Sequence, residues 1–416
     1  MKNLKFVLAL LLTAVIPFLP ADRVFAAQNT GAVDLMNGVK GGQIKASSTV
    51  SEEFVRTTAD FSVSLFQKSV AKRENALISP VSACLALGMT ANGASGNTLN
   101  QFQNLLGKGL TQDQLNQNYL NMTNQLNFVK DGKLLIANSI WYRDKNLSIK
   151  KSFLQNNADY FRAGLFRLNF SSPNTAGQIN GWVKEHTGGK IDKMVGKIDG
   201  LTMMYLINAL YFEDNWIAPY SSSQKGSFQT KKGAVTANYL SSSEYYIHDA
   251  NSDGMLKYFK DKRFAFAAVL PKAGVSTESY IGKMSGAQFL KLMSSAGREF
   301  ADCELPKFRY DFQVEFNSPL KALGLTNAFD KNRADFSRMG TALPGKLYIG
   351  DVQQKTFIQV DEAGVKAGAA TKVEIMCGST GPLPKKVVFN RPFVYAIIDT
   401  QTKLPVFLGI VGNPAI

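Results

Sequence analysis

The chain has 416 residues, 45% of them hydrophobic, and its 28 phenylalanines supply bulky units for a substantial core. A formal charge of +15 can attract polyanions or anionic surfaces, but solvated lysines on a basic protein account for it better. Three cysteines exclude a disulfide framework; with only two histidines and no G-x-S-x-G, H-E-x-x-H or paired C-x-x-C, the common hydrolase and zinc chemistries go too.

Met1–Ala26 sets Lys2 and Lys5 before an apolar run from Phe6 to Leu19 and ends on Val24-Phe25-Ala26. That order is a secretory signal peptide with its cleavage site, and the run is short for a membrane anchor. Residues 27–48 are small, polar and aperiodic, and are expected to form a flexible leader. No later stretch is long and apolar enough to span a bilayer. No linker or internal repeat divides 49–416, which is expected to be one domain.

Glu52-Glu53 supplies the charge that a helix N-terminus favours. Cys84 falls in an apolar helical stretch, CLALGMTA, as a buried thiol. Thr111 to Asn127 holds no Lys or Arg, whereas Lys184, Lys190, Lys193 and Lys197 form a loose basic group that could meet a polyanion. His186 follows Lys184 and Glu185 in a charged helical stretch and reads as a surface residue. TGGK at Thr187–Lys190 lacks the spacing of a phosphate loop. Serine runs at Ser221 and Ser241 read as hairpin loops, and Cys303 precedes a strand.

Near the C-terminus the periodicity sharpens. Lys346 to Asp361 alternates as a central strand, and Glu362 to Thr380 (EAGVKAGAATKVEIMCGST) runs on from it. Val365, Ala367, Ala369, Thr371, Val373 and Ile375 share one face at period two. The centre, Ala367 to Ala370, is Ala/Gly and poor in strand propensity. Such a segment can join a sheet but is weakly driven to do so; it is a conditional strand. Beyond it, Phe393–Ile398 and Val406–Val411 are apolar strands joined by a polar turn at Asp399 to Lys403.

These residues closely resemble the serpin (serine protease inhibitor) family, with the conditional segment in the position of its reactive-centre loop. The hinge is filled here by Glu362, Gly364, Val365, Ala367, Gly368, Ala369, Ala370 and Thr371. The C-terminal signature is matched by Phe389-Asn390-Arg391-Pro392-Phe393, Phe407-Leu408-Gly409 and Asn413-Pro414. Further matches follow in family order. Asn75 to Ser82 resembles the start of the helix under the main sheet, and Asn138 to Trp141 a strand of that sheet. Asn180 to Val183 with Thr187 to Ile191 resembles the helix crossing its face. Asn208 to Trp216 resembles the strand ending where the loop inserts, and Leu305 to Phe308 a strand of the second sheet.

The resemblance implies an α+β serpin fold of three β-sheets with eight or nine helices, in a secreted, bacterial, monomeric protein. It implies a suicide substrate: a protease cleaves the loop, becomes trapped as an acyl-enzyme, and the loop inserts into the main sheet. Counted from Gly364, the cleaved bond is Gly378–Ser379, with Ile375, Met376 and Cys377 contacting the target. Small Gly378 suits elastase-like or subtilisin-like serine proteases; cleavage after Met376 or Cys377 would suit chymotrypsin-like or cysteine proteases. Ser79, Ser82 and Asn208 match the latch beneath the sheet, where Gln354 replaces the usual histidine, and Trp216 falls at the insertion point. No catalytic residue, metal, cofactor or nucleic-acid partner is implied. The alternative is a non-inhibitory serpin acting as a carrier, storage or binding protein; the inserting face has none of the bulky or charged residues such members tend to carry.

Overall fold

A computed structural model describes residues 31–71, 73–127, 132–144, 146–196, 198, 202–343, 345–365 and 385–415. The chain opens with β1 (Val33–Asp34), α1 (Glu52–Ser69), β2 (Ala76–Ile78), α2 (Pro80–Ala91), α3 (Gly96–Leu106) and α4 (Gln112–Leu126). There follow β3 (Lys133–Arg143), β4 (Leu147–Ile149), α5 (Lys151–Tyr160), β5 (Gly164–Leu168), α6 (Thr175–His186) and β6 (Met204–Asn215). A β-rich stretch holds β7 (Ser223–Thr230), β8 (Gly233–Asp249), β9 (Ser252–Tyr258) and β10 (Phe264–Pro271). Then come α7 (Thr277–Gly282), α8 (Gly286–Met293), β11 (Phe300–Pro306), β12 (Phe308–Glu315), α9 (Asn317–Ala322) and β13 (Gly340–Ala342). The last elements are β14 (Asp351–Val360), β15 (Gly364–Val365), β16 (Lys385–Val388), β17 (Phe393–Asp399) and β18 (Pro405–Val411).

These strands form three sheets. The first has seven strands in the order β1-β5-β3-β6-β15-β14-β12, with β6 and β14 also paired directly. The second has nine, in the order β16-β11-β8-β9-β10-β17-β18-β2 with β7 on β8; β13 and β4 form the third. Local chemistry sets the helix starts. Ser51 accepts from the Phe54 amide at 3.2 Å, Thr111 and Gln114 form a reciprocal capping box, and Ser79 followed by Pro80 opens α2. Helix α2 is buried on every side, as an all-round apolar helix must be. It packs on one face of the seven-stranded sheet while α6 covers the other, where Trp141, Ile179, Val183 and Ile207 share a second core. Strand β6 is therefore buried on both faces.

Several elements differ from the sequence expectation. Ser241–Ser243 is not a loop but the middle of β8, paired with Asp302, Cys303 and Glu304; side-chain polarity did not reveal that backbone partner. Cys303 lies inside β11 and is buried, which pushes its thiol up to about 12. Leu305 to Phe308 is not one strand: β11 ends at Pro306 in the nine-stranded sheet, and β12 starts at Phe308 in the seven-stranded one. Helix α6 stops at His186, where Gly188 and Gly189 take positive φ.

The largest difference concerns the leader. From Ala32 onward it belongs to the same compact unit as the rest of the fold, Ala32–Ile416. Val33 and Asp34 pair with β5, and Gln155 Nε2 donates to the Lys40 carbonyl at 2.8 Å. Asn121 Oδ1 accepts from the Ser47 amide at 2.8 Å, and its Nδ2 donates to the Thr49 carbonyl at 3.0 Å. Asn118 accepts from the Ser51 amide at 2.7 Å. Amides on α4 and α5 thus serve the leader's backbone groups, and this dependence on distant side chains leaves no periodicity in the leader itself. Asn121→Ala is expected to cost about 1–3 kcal/mol by orphaning those groups. Thermal melts should show the loss, and limited proteolysis should cut faster within residues 40–50.

Candidate functional site: the seam between two parallel strands

Strands β6 and β14 run parallel, and their register extends only from Asp351↔Tyr205 to Thr356↔Leu210. Beyond Thr356 they part, and β15 fills the gap. Gly364 and Val365 pair antiparallel with Asn215 and Asp214 of β6, and Val365 pairs antiparallel with Val360 of β14. Val365 is 2% exposed. The hinge residue expected to lead an insertion is thus already seated between the strands in the uncleaved chain. Gly364 has to be glycine: a Cβ there would come within 2.2 Å of the Asp214 carbonyl oxygen.

Midway down the seam, the structure brings together Ser79, Ser82, Asn208 and Gln354. Gln354 Oε1 accepts from the Ser79 amide at 2.7 Å, and its Nε2 donates to the Ser79 carbonyl at 3.0 Å. The same Nε2 donates across the seam to Asn208 Oδ1. Asn208 Nδ2 donates to the Ser82 carbonyl at 2.9 Å, to Ser82 Oγ and to Asn138 Oδ1. All four residues are fully buried, so each bond here replaces one that water would otherwise make. Gln354 acts as donor and acceptor at once and does not titrate, so this linkage is independent of pH. Asn138 is a member that the sequence reading placed on a strand but not in the site.

At the upper end, Trp216 donates its backbone amide to the Ala363 carbonyl at 2.9 Å and its indole Nε1 to the Asp361 carbonyl at 3.0 Å. Its ring stacks on Phe259, with centroids 4.7 Å apart. The Tyr220 amide donates to the Glu362 carbonyl at 2.8 Å. Burial alone would raise the Glu362 carboxyl, but Lys307, donating at 2.8 and 2.9 Å, holds it below the usual range. Lys307 sits between β11 and β12, so this ion pair ties the turn before the hinge to the junction of the two large sheets. Beneath Trp216 and Tyr220, Lys257 Nζ lies 5.7 and 4.4 Å from the ring centroids and pairs with buried Glu244. Lys307, Lys257 and Glu244 escaped the sequence reading because their partners are distant in the chain and no spacing links them.

Asp351 marks the lower end of the seam. Burial pushes its carboxyl up to about 6, against the Gln353 amide that donates to it at 2.5 Å, while Glu315 adds repulsion. Its Oδ1 is buried without a hydrogen-bond partner. The folded chain therefore holds a proton that the unfolded chain, titrating near 3.8, has released. This group stabilises the fold most below about pH 4, and the contribution falls as pH rises through about 6. In thermal melts, the melting-temperature advantage of Asp351→Asn over the parent is expected to grow between pH 4 and pH 7.

Of the other expected site residues, Ala367, Gly368, Ala369, Ala370, Thr371, Ile375, Met376, Cys377, Gly378 and Ser379 lie outside the described residues. Of the loose basic group, Lys184 pairs with Asp192 at 2.9 Å and Lys190 Nζ lies 5.9 Å from the Tyr211 ring centroid, while Lys197 lies outside the described residues.

Comparison with known proteins bears on this geometry. Residues 56–414 match the family described as Serpin (serine protease inhibitor). The native-state crystal structure of the thermophilic serpin tengpin superposes with a TM-score of 0.87 at 40% identity, covering 92% of this chain and 99% of that one. Tengpin in its latent state gives 0.78 at 41% identity, covering 88% and 99%. Serpin-Z7 of Hordeum vulgare is 31% identical over 364 residues, 82% of this chain and 90% of its own. With its three sheets, its nine α-helices among the described residues and a hinge seated between β6 and β14, the chain belongs to the serpin family.

Proposed function

We propose that this protein is a secreted suicide-substrate inhibitor of serine proteases, with Gly378–Ser379 as its bait bond and elastase-like or subtilisin-like enzymes as targets. The signal-peptide pattern of Met1–Ala26 supports secretion, and a bacterial source belongs to the same reading. The observation that carries the reading is the seating of Gly364 and Val365, antiparallel to both neighbours, at the top of a parallel seam. The protease's nucleophile attacks the Gly378 carbonyl, the bond to Ser379 breaks, and the acyl-enzyme stays on the hinge side. Freed at its far end, the hinge segment lengthens β15 downward and draws the enzyme with it.

Physical chemistry favours that movement, but only modestly. One short parallel ladder gives way to two antiparallel ones, the slightly more stable pairing per residue. Each new backbone bond contributes about 0.5–1.5 kcal/mol and burial of Val373 and Ile375 about 1.5–3 kcal/mol each, against about 1–2 kcal/mol per residue ordered. Speed relative to deacylation then decides between a trapped enzyme and a cut substrate. Val365 shares its face with Val360, so Ala367, Ala369, Thr371, Val373 and Ile375 would follow it onto the face that meets α2. Continued at the same register, Thr371 arrives opposite both Gln354 and Asn208, where its hydroxyl can join the groups whose direct bond the new strand interrupts.

Two experiments test this. Val365→Arg buries an unpaired charge at a cost of several kcal/mol; incubated with elastase- and subtilisin-like proteases, it is expected to be cleaved without forming the SDS-resistant adduct the parent forms. An undiminished adduct at unchanged stoichiometry would falsify the hinge mechanism. Thr371→Val is expected to leave the melting temperature of the intact protein unchanged and to lower that of the loop-cleaved form by about 1–3 kcal/mol of stability. If cleavage produces no rise in melting temperature even in the parent, the carrier or storage reading replaces the inhibitory one.

A further inference from the structure

We propose that the cleft between the β8–β9 hairpin and helices α7 and α8 is a binding site for an amphipathic organic anion, a compact apolar body bearing a sulfonate or carboxylate. The cleft measures about 890 Å3, within the size range of small-molecule sites. Lys272 follows β10, Lys283 follows α7 and Lys291 lies in the last turn of α8; all three are exposed around one opening, with His248 on the hairpin side. Among the described residues no carboxylate pairs with any of these lysines.

The single carboxylate in the wall, Asp249, is engaged elsewhere. Its Oδ1 accepts from the Asn251 amide at 2.7 Å and Ser252 Oγ at 2.9 Å, and its Oδ2 from the Tyr280 hydroxyl at 2.7 Å. Neutral donors thus hold Asp249, and the three ammonium groups are left for a ligand. Val275, Met284 and Leu292 supply an apolar lining below that cationic rim. A linear polyanion lying across a surface would find the charge but leave the lining unused, so the chemistry favours a compact ligand.

The walls are fixed in advance. Tyr280 and Asp249 join α7 to the hairpin, and the Lys272 amide donates to the Asn251 carbonyl at 2.8 Å. Gln67 Nε2 donates to the Ile281 and Met284 carbonyls, both at 2.8 Å, anchoring the α7–α8 connection to α1. A site whose walls are already braced loses little on closing around a ligand.

Isothermal titration of the mature full-length chain with 1-naphthalenesulfonate is the direct test. One-to-one binding at roughly 10–100 μM is expected, in keeping with a ligand of that size. The neutral isostere 1-naphthalenesulfonamide and the double variant Lys283→Gln/Lys291→Gln should each bind at least tenfold more weakly. Ala250→Trp, which fills the cleft from the hairpin and leaves every lysine in place, should abolish binding. Absence of saturable binding overturns the proposal, as does unchanged affinity in either variant or tighter binding of a heparin hexasaccharide than of the naphthalene probe. Protease-adduct formation is a separate readout, so this site and the inhibitory reading succeed or fail independently.

Discussion

Much of this molecule turns on one incomplete pairing. Strands β6 and β14 hold each other in parallel as far as Thr356 and then diverge around two residues of β15. A sheet interior normally has no room for another strand, because neighbours already satisfy one another's amides and carbonyls. Here the divergence leaves a place that two residues of a third strand, Gly364 and Val365, occupy. The rest of the architecture supports that condition: α2 and α6 keep both faces of the sheet dry, and the two large sheets meet at Lys307 beside the opening.

The seam has three kinds of restraint, each with its own chemistry. Its top is held by backbone bonds from Trp216 and Tyr220 and by the Lys307–Glu362 pair, which is partly exposed and weakens as salt rises. Its middle is held by neutral hydrogen bonds among Gln354, Asn208 and two serines, which neither salt nor pH alters directly. Its base carries a buried carboxyl with an unmet oxygen. A closed seam is therefore firm at the centre and responsive at both ends.

Side-chain patterning was legible in three C-terminal strands. The alternation of Thr356, Ile358 and Val360 marked β14, and the apolar runs marked β17 and β18, with Lys403 at positive φ inside the expected turn. The Ala/Gly centre of the hinge, Ala367 to Ala370, lies outside the described residues, and the seating of Val365 just before it could not be read from the pattern. Pairing of polar strands stayed hidden: Ser241–Ser243 meets β11 through backbone groups, which leave no trace in side-chain type. Lys307 and Glu362, 55 positions apart, were both visible as residues and invisible as a pair. Asn118 and Asn121 looked like ordinary polar helix positions because their partners are main-chain groups some 70 positions earlier.

That leader has one more effect. Without β1, the outer side of β5 would be the bare margin of the seven-stranded sheet, with its amides and carbonyls turned to solvent. Val33 and Asp34 cover that margin, and the Leu35 amide bonds to the Leu165 carbonyl at 2.8 Å. Two residues of the leader thus act as a stopper, occupying backbone groups on which the edge of another sheet could otherwise stack.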